Sequence, residues 1–290
     1  MQVFVANPHG YCEGVVHAIA LAEQVRREYP NTPIDVLGML VHNEKVIQQL
    51  KENQITTIKI PISHYADFLS NVDASHIIIF TAHGHDRKLD QIATQRKLHT
   101  IDATCNKVYD SFLLIENALN AGREVIYLGK KGHPEAEAAL SRGKDVYLYD
   151  VDQDFNYQQL KTNNPLVISQ TTLSILELKG CHLDILAMLP NAEIGNEVCS
   201  ATRLRQTAVQ QLPSFVDAIY IIGSTQSSNT TKLAQIAKIS HPQAKVRHIA
   251  ELSELDQSEL NQFSAVGVAS GASTPLFITN EIIEFLKHYQ

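Results

Sequence analysis

Three cysteines, Cys12, Cys105 and Cys199, divide the chain into three nearly equal lengths, and a fourth, Cys181, falls outside that spacing. If each third is a similar unit that brings one thiol to a shared axis, three thiolates meet at one point and can hold a metal centre. A structural zinc ion ordinarily takes four protein ligands. A 4Fe-4S cluster tied by three thiolates leaves one iron open to substrate, whereas clusters that only carry electrons are normally tied by four cysteines. The spacing therefore points first to a cluster with one open iron. Cys181 lies in an apolar helical pattern and reads as a core thiol.

A second set of residues is polar and recurs at one kind of place. His42, His83, His133, Gln170, Thr171, Ser227, Ser228, Asn229 and Ser273 each follow an apolar run and precede a helical pattern. Singly, a Ser-Ser-Asn or Gly-Ala-Ser before a helix reads more readily as a cap than as a binding site, and Glu135 reads as a first-turn carboxylate placed to suit the helix dipole. With 13 histidines in the chain some must be uninformative, and His85, His182 and His288 are assigned to that class. Repetition around three evenly spaced thiols lifts the set above its members. Helix N-termini converging on one cavity make an anion site without Lys or Arg, so the pattern predicts a small phosphorylated or diphosphorylated substrate beside the metal.

The elements that must position these residues alternate. Strands are expected at 2–6, 34–37, 76–80, 100–103, 124–128, 145–149, 165–169, 218–222, 245–249 and 265–269. Helices are expected at 15–29, 44–51 behind the N-cap Asn43, 108–121, from Pro134 to about 140, 175–189, 203–212, 230–239, 255–263 and after Pro275. Strand-helix alternation implies parallel sheets, in which ligands bind beyond the carboxyl ends of the strands. The polar residues and the cysteines all fall there.

Composition narrows the function. At 290 residues with 44% hydrophobic content the chain buries a real core; length alone predicts about two domains of roughly 150 residues, whereas the cysteines argue for three smaller ones. The net charge of −7 and the lack of a basic run with interleaved aromatics exclude a nucleic-acid groove. The start, Met1 to Ala6, has no basic n-region and reaches Asn7-Pro8 after a few apolar residues, so neither a signal peptide nor a membrane span is expected and the protein reads as cytoplasmic. Four cysteines in a chain of this size are no disulfide scaffold, and a reducing compartment leaves them as thiols.

The motifs Ala6-Asn7-Pro8-His9-Gly10-Tyr11-Cys12, Val41-His42-Asn43, Ala82-His83-Gly84, Asp102-Ala103-Thr104-Cys105, Gly132-His133-Pro134-Glu135, Gln170-Thr171-Thr172, Cys199-Ser200-Ala201-Thr202 with Arg205-Gln206, Ser227-Ser228-Asn229 and Gly271-Ala272-Ser273 run almost end to end. Together they resemble the LytB family of 4-hydroxy-3-methylbut-2-enyl diphosphate reductases. The resemblance implies a pseudo-threefold trefoil of three small α/β domains, 14–103, 104–197 and 198–290, around a central cluster, with the strand in 1–13 joined to the third. It implies two-electron reductive dehydroxylation of the allylic diphosphate to isopentenyl and dimethylallyl diphosphates, in the non-mevalonate isoprenoid pathway, with electrons from a donor such as ferredoxin or flavodoxin. Cys12, Cys105 and Cys199 match the cluster ligands. Glu135 matches the proton source, Thr171 and His133 its neighbours, and His42, His83, His133, Thr171, Ser227, Ser228, Asn229 and Ser273 the diphosphate pocket. The chain departs from the family pattern at Glu13, His17, Asn106 and Arg203-Leu204. The alternative is a diverged paralogue, a redox-sensing iron-sulfur or zinc-binding protein without this turnover.

Overall fold

The computed structural model describes residues 1–195 and 198–289; residues 196, 197 and 290, which close the expected second and third units, lie outside the described residues. The chain opens with β1 (Gln2–Val5) and α1 (Glu13–Glu28), followed by β2 (Ile34–Leu37), α2 (Glu44–Glu52), β3 (Ile55–Ile58), α3 (Tyr65–Asn71), β4 (Ile77–Phe80), α4 (Arg87–Arg96) and β5 (His99–Asp102). It continues through α5 (Asn106–Asn120), β6 (Val125–Gly129), α6 (Pro134–Leu140), β7 (Val146–Asp150), β8 (Leu166–Ser169), α7 (Ile175–Met188) and β9 (Glu193–Ile194). It ends in α8 (Ser200–Gln210), β10 (Ala218–Ile222), α9 (Ser228–Ser240), β11 (Lys245–Ile249), α10 (Gln257–Leu260), β12 (Ala265–Ser270) and α11 (Leu276–His288).

The strands form three sheets of four, ordered β3-β2-β4-β5, β7-β6-β8-β9 and β11-β10-β12-β1. Every neighbouring pair is parallel. The two central strands of each sheet are buried along their whole length. That is why they are continuous apolar runs: helices cover both faces, so no polar alternation is left to read. The helices bury stripes, as α1 does with Val15, Ala18, Ile19, Ala22 and Val25. No helix among the described residues is long and apolar enough to cross a membrane.

The three sheets share one order, and the expected trefoil follows from it. In each, the first strand in chain order lies between the second and the third, and the fourth pairs with the third at the edge. In the last sheet the fourth place is taken by β1, which pairs with β12 from Gln2 opposite Ala265 to Val5 opposite Val268. The chain thereby closes on itself. Each edge strand, β1, β5 and β9, runs out toward one of the three evenly spaced cysteines, and each of those cysteines opens the next helix.

The sequence pattern missed β3, α3 and β9. Ile55-Thr56-Thr57-Ile58 follows directly on a helix, and β9 has two residues, too short for a period to register. The helix expected at 255–263 is reduced to α10, because the Asp256 side chain accepts from the Ser258 N-H and caps a fresh start there. Helices α1, α5 and α8 each begin two or three residues earlier than their apolar periodicity.

Candidate active site

The site is assembled from equivalent strand ends. Beyond the first strand of each sheet stand His42, then His133 with Glu135, then Ser227-Ser228-Asn229; beyond the third stand His83, Thr171 and Ser273; beyond the fourth stand Cys105, Cys199 and Cys12. All of them line a single cavity. Gln170 does not. It is buried behind the wall, where its Oε1 accepts from the Lys130 N-H at 3.1 Å and its Nε2 donates to Thr172 Oγ1 at 2.9 Å. Cys181 packs in the core beside the second sheet.

Cys12, Cys105 and Cys199 are the N-cap residues of α1, α5 and α8, and none uses its side chain to cap. Three helix N-termini, with their unpaired N-H groups and positive dipole ends, are thus turned toward the thiols. The backbone N-H of each cysteine donates to the loop beyond the third strand of the same sheet: Cys12 to Ala272 O at 2.9 Å, Cys105 to Ala82 O at 3.0 Å and Cys199 to Thr171 O at 3.2 Å. Burial pushes the Cys105 thiol up, the Lys107 and Val108 N-H groups pull it down, and the Cys12 and Cys199 thiols push it up again. Gly14 makes the approach possible. A Cβ there would stand 2.5 Å from Cys105 Sγ and 4.0 Å from Cys12 Sγ.

The same cavity is lined by a buried carboxylate. Glu135 is 1% exposed; its Oε1 accepts from the Thr171 N-H at 2.7 Å and the Tyr127 OH at 3.1 Å, and its Oε2 from the Thr171 OH at 2.8 Å. Burial pushes its pKa up to about 7, against the three donors, which favour the charged form. It is therefore no mere first-turn carboxylate: its proton is exchangeable near neutrality.

The remaining wall is imidazole and hydroxyl. The His42 and His83 rings lie 4.3 Å apart between centroids, with His133 at 5.8 Å and 5.9 Å from them. Burial holds all three below the ordinary histidine value; His83 and His133 are lowered further by neighbouring basic groups, His133 to about 3. His133 Nδ1 accepts the Glu135 N-H at 3.2 Å as the cap of α6, so its neutral ring carries the proton on Nε2. His42 Nε2 is buried with no hydrogen-bond partner among the described residues. Ser273 Oγ donates to His42 O at 3.1 Å, and Thr172 Oγ1 donates to Ser228 Oγ at 3.0 Å, so hydroxyls link the three sheets across the mouth.

Residues 3–287 match the family model described as LytB protein. The chain belongs to that family. Over its full length the LytB chain is 38% identical to a Bacillus cytotoxicus protein named 4-hydroxy-3-methylbut-2-enyl diphosphate reductase, 91% of which it covers. Its fold superimposes on the structure of the E-1-hydroxy-2-methyl-but-2-enyl-4-diphosphate reductase from Plasmodium falciparum with a TM-score of 0.89 at 27% identity, covering 99% of this chain and 88% of that one. A second solved structure, of an (E)-4-hydroxy-3-methyl-but-2-enyl diphosphate reductase titled the terminal enzyme of the non-mevalonate pathway, matches with a TM-score of 0.68 at 25% identity, 99% of both chains being covered.

The departures of this LytB chain, Glu13, His17, Asn106, Arg203 and Leu204, are all exposed. Sequence reasoning passed over Tyr127, whose buried place in β6 looks like core, and over Thr172, Thr202 and Lys107, which also line the cavity. Thr172 and Thr202 each stand inside a motif of the resemblance, Gln170-Thr171-Thr172 and Cys199-Ser200-Ala201-Thr202, and that membership is the available signal.

Proposed function

We propose that the chain is a 4-hydroxy-3-methylbut-2-enyl diphosphate reductase that holds a 4Fe-4S cluster on Cys12, Cys105 and Cys199. The observation that carries this is one cavity lined by three cysteines at helix N-cap positions and by a protonatable Glu135-Thr171 pair. The glycine cradle at Gly14 and the converging N-termini suit a bulky anionic group. Among the described residues no three thiol, imidazole or carboxylate groups stand close enough to share one ion, and cluster thiolates each bind a different iron.

When bound, the cluster supplies electrons and a Lewis-acidic iron for the allylic oxygen. The chain's own residues do the rest. His42, His83 and His133 with Ser227, Ser228, Asn229 and Ser273 hold the diphosphate, aided by the α6 and α9 N-termini. Thr171 orients the C4 hydroxyl and Glu135 delivers its proton. Two electrons and two protons are consumed; the C4–O bond breaks, water leaves, and the allylic carbons retain the electron pair and one proton. The electrons come from a low-potential donor of the ferredoxin or flavodoxin class in the cytoplasm. The three like-ordered sheets support units at 14–103, 104–197 and 198–290, the last completed by 1–13.

A redox sensor needs no acid relay, so the Glu135-Thr171 pair favours the enzyme. Anaerobic reconstitution followed by Mössbauer spectroscopy with and without the diphosphate tests the proposal. One distinct iron that shifts on substrate addition, with the diphosphate consumed when a chemical reductant is present, is expected; four equivalent irons and no consumption favour the sensor.

A further inference from the structure

Arg205 sits within α8 and is 4% exposed. Its Nη2 donates to Gly10 O at 2.8 Å and its Nη1 to Ala201 O at 3.0 Å. Those carbonyls flank the first and third thiols in sequence, so one guanidinium ties the loop before Cys12 to the helix after Cys199. Its Nε is buried and has no hydrogen-bond partner among the described residues. Carbonyls satisfy donors but carry no charge, and an isolated buried cation is strongly disfavoured. Arginine does not escape by losing its proton. Among the described residues no carboxylate pairs with it; the groups whose negative charge would favour its protonated form are the Cys12 and Cys199 sulfurs.

We infer that Arg205 is the fixed counter-charge of the three-thiolate centre, a positioning residue that makes a cluster held there easier to reduce while holding two of its ligand segments in register. The inference rests on the cluster assignment proposed above. Each added electron makes the centre more negative, and a cation fixed in a low-dielectric interior favours that state. Lys107 also faces Cys105 and Cys199, but it is exposed and engaged with Asp110 at 3.2 Å, so solvent screens it.

The test is a redox titration of the reconstituted holoenzyme followed by electron paramagnetic resonance, with Arg205→Gln, Arg205→Lys and Lys107→Gln beside the unaltered protein. Arg205→Gln is expected to be about tenfold harder to reduce, a shift of about −59 mV for one electron. Arg205→Lys, which keeps the charge but loses the fork, is expected to retain most of the potential while losing iron faster to a chelator. Lys107→Gln is expected to shift less than Arg205→Gln. An unchanged potential in Arg205→Gln, or an equal fall in Arg205→Lys, overturns the counter-charge role. If Arg205→Gln does not accumulate as folded protein, the lysine variant decides alone: a potential near the original supports the role and a tenfold loss of reducibility overturns it. Failure of the unaltered protein to take up any cluster instead overturns the ligand assignment, and the counter-charge falls with it.

Discussion

Glu135 combines two demands that usually conflict: a group must hold a proton near neutrality, and it must be able to give it up. Burial alone would keep it protonated, while the Thr171 N-H, Thr171 OH and Tyr127 OH pull the other way and leave it at about 7. Glu135→Gln keeps size and hydrogen bonding but has no transferable proton, so kcat should fall by roughly 10² to 10⁴-fold with cluster content and substrate binding intact. Near-normal turnover would move the proton role to Thr171 and the substrate's own diphosphate. Tyr127→Phe tests the balance more gently. The phenol favours the charged carboxylate, so its loss should raise the Glu135 pKa further; since the acid must be protonated to act, the alkaline fall in kcat should move to higher pH. An unmoved or downward-shifted limb in the pH profile would detach Glu135 from that limb.

At the scale of elements, the decisive device is a cysteine at a helix N-cap, used three times. Much of this was legible: the strand ends bearing His42, His83, His133, Thr171 and the serines follow from apolar runs that stop at polar residues. The caps were not. Apolar periodicity marks only a buried stripe, and the first turns after Cys12, Cys105 and Cys199 are too polar to register; cysteine is also no ordinary capping residue. Tyr127 was hidden for the opposite reason, since a buried tyrosine in a strand looks like packing until the fold lays Glu135 beside it. Gly14 shows how closely the elements meet. Alanine would favour the helix by its propensity, yet its Cβ would fall 2.5 Å from Cys105 Sγ. Gly14→Ala should therefore keep helical content and thermal stability while losing iron and sulfide, whereas Cys181→Ser should keep both the fold and the cluster. Full cluster content in Gly14→Ala would show that α1 yields and that the cradle is not required.

For the whole molecule, a chain of net charge −7 must gather a diphosphate at the axis of three sheets. In the function proposed above it does so with helix N-termini, hydroxyls and three imidazoles that are neutral when the pocket is free, because burial lowers each. A diphosphate reverses that balance by favouring imidazolium, raising the bound-state values above the free ones. The sign follows: the added attraction is complete below the free-state values and is lost as pH rises through the bound-state values, so binding takes up protons and weakens toward alkaline pH. The uptake should centre on His42. His133 Nδ1 already accepts the Glu135 N-H, and protonating it there would break the α6 cap, whereas His42 Nε2 is buried without a partner among the described residues. Calorimetry at neutral pH with inorganic diphosphate, in two buffers of different ionisation enthalpy, should show net proton uptake that His42→Asn diminishes; comparing the two proteins removes the titration of the ligand itself. Equal uptake in both, with parallel pH dependence of affinity, would show that His42 binds as a neutral donor and that the anion is held by helix N-termini and hydroxyls.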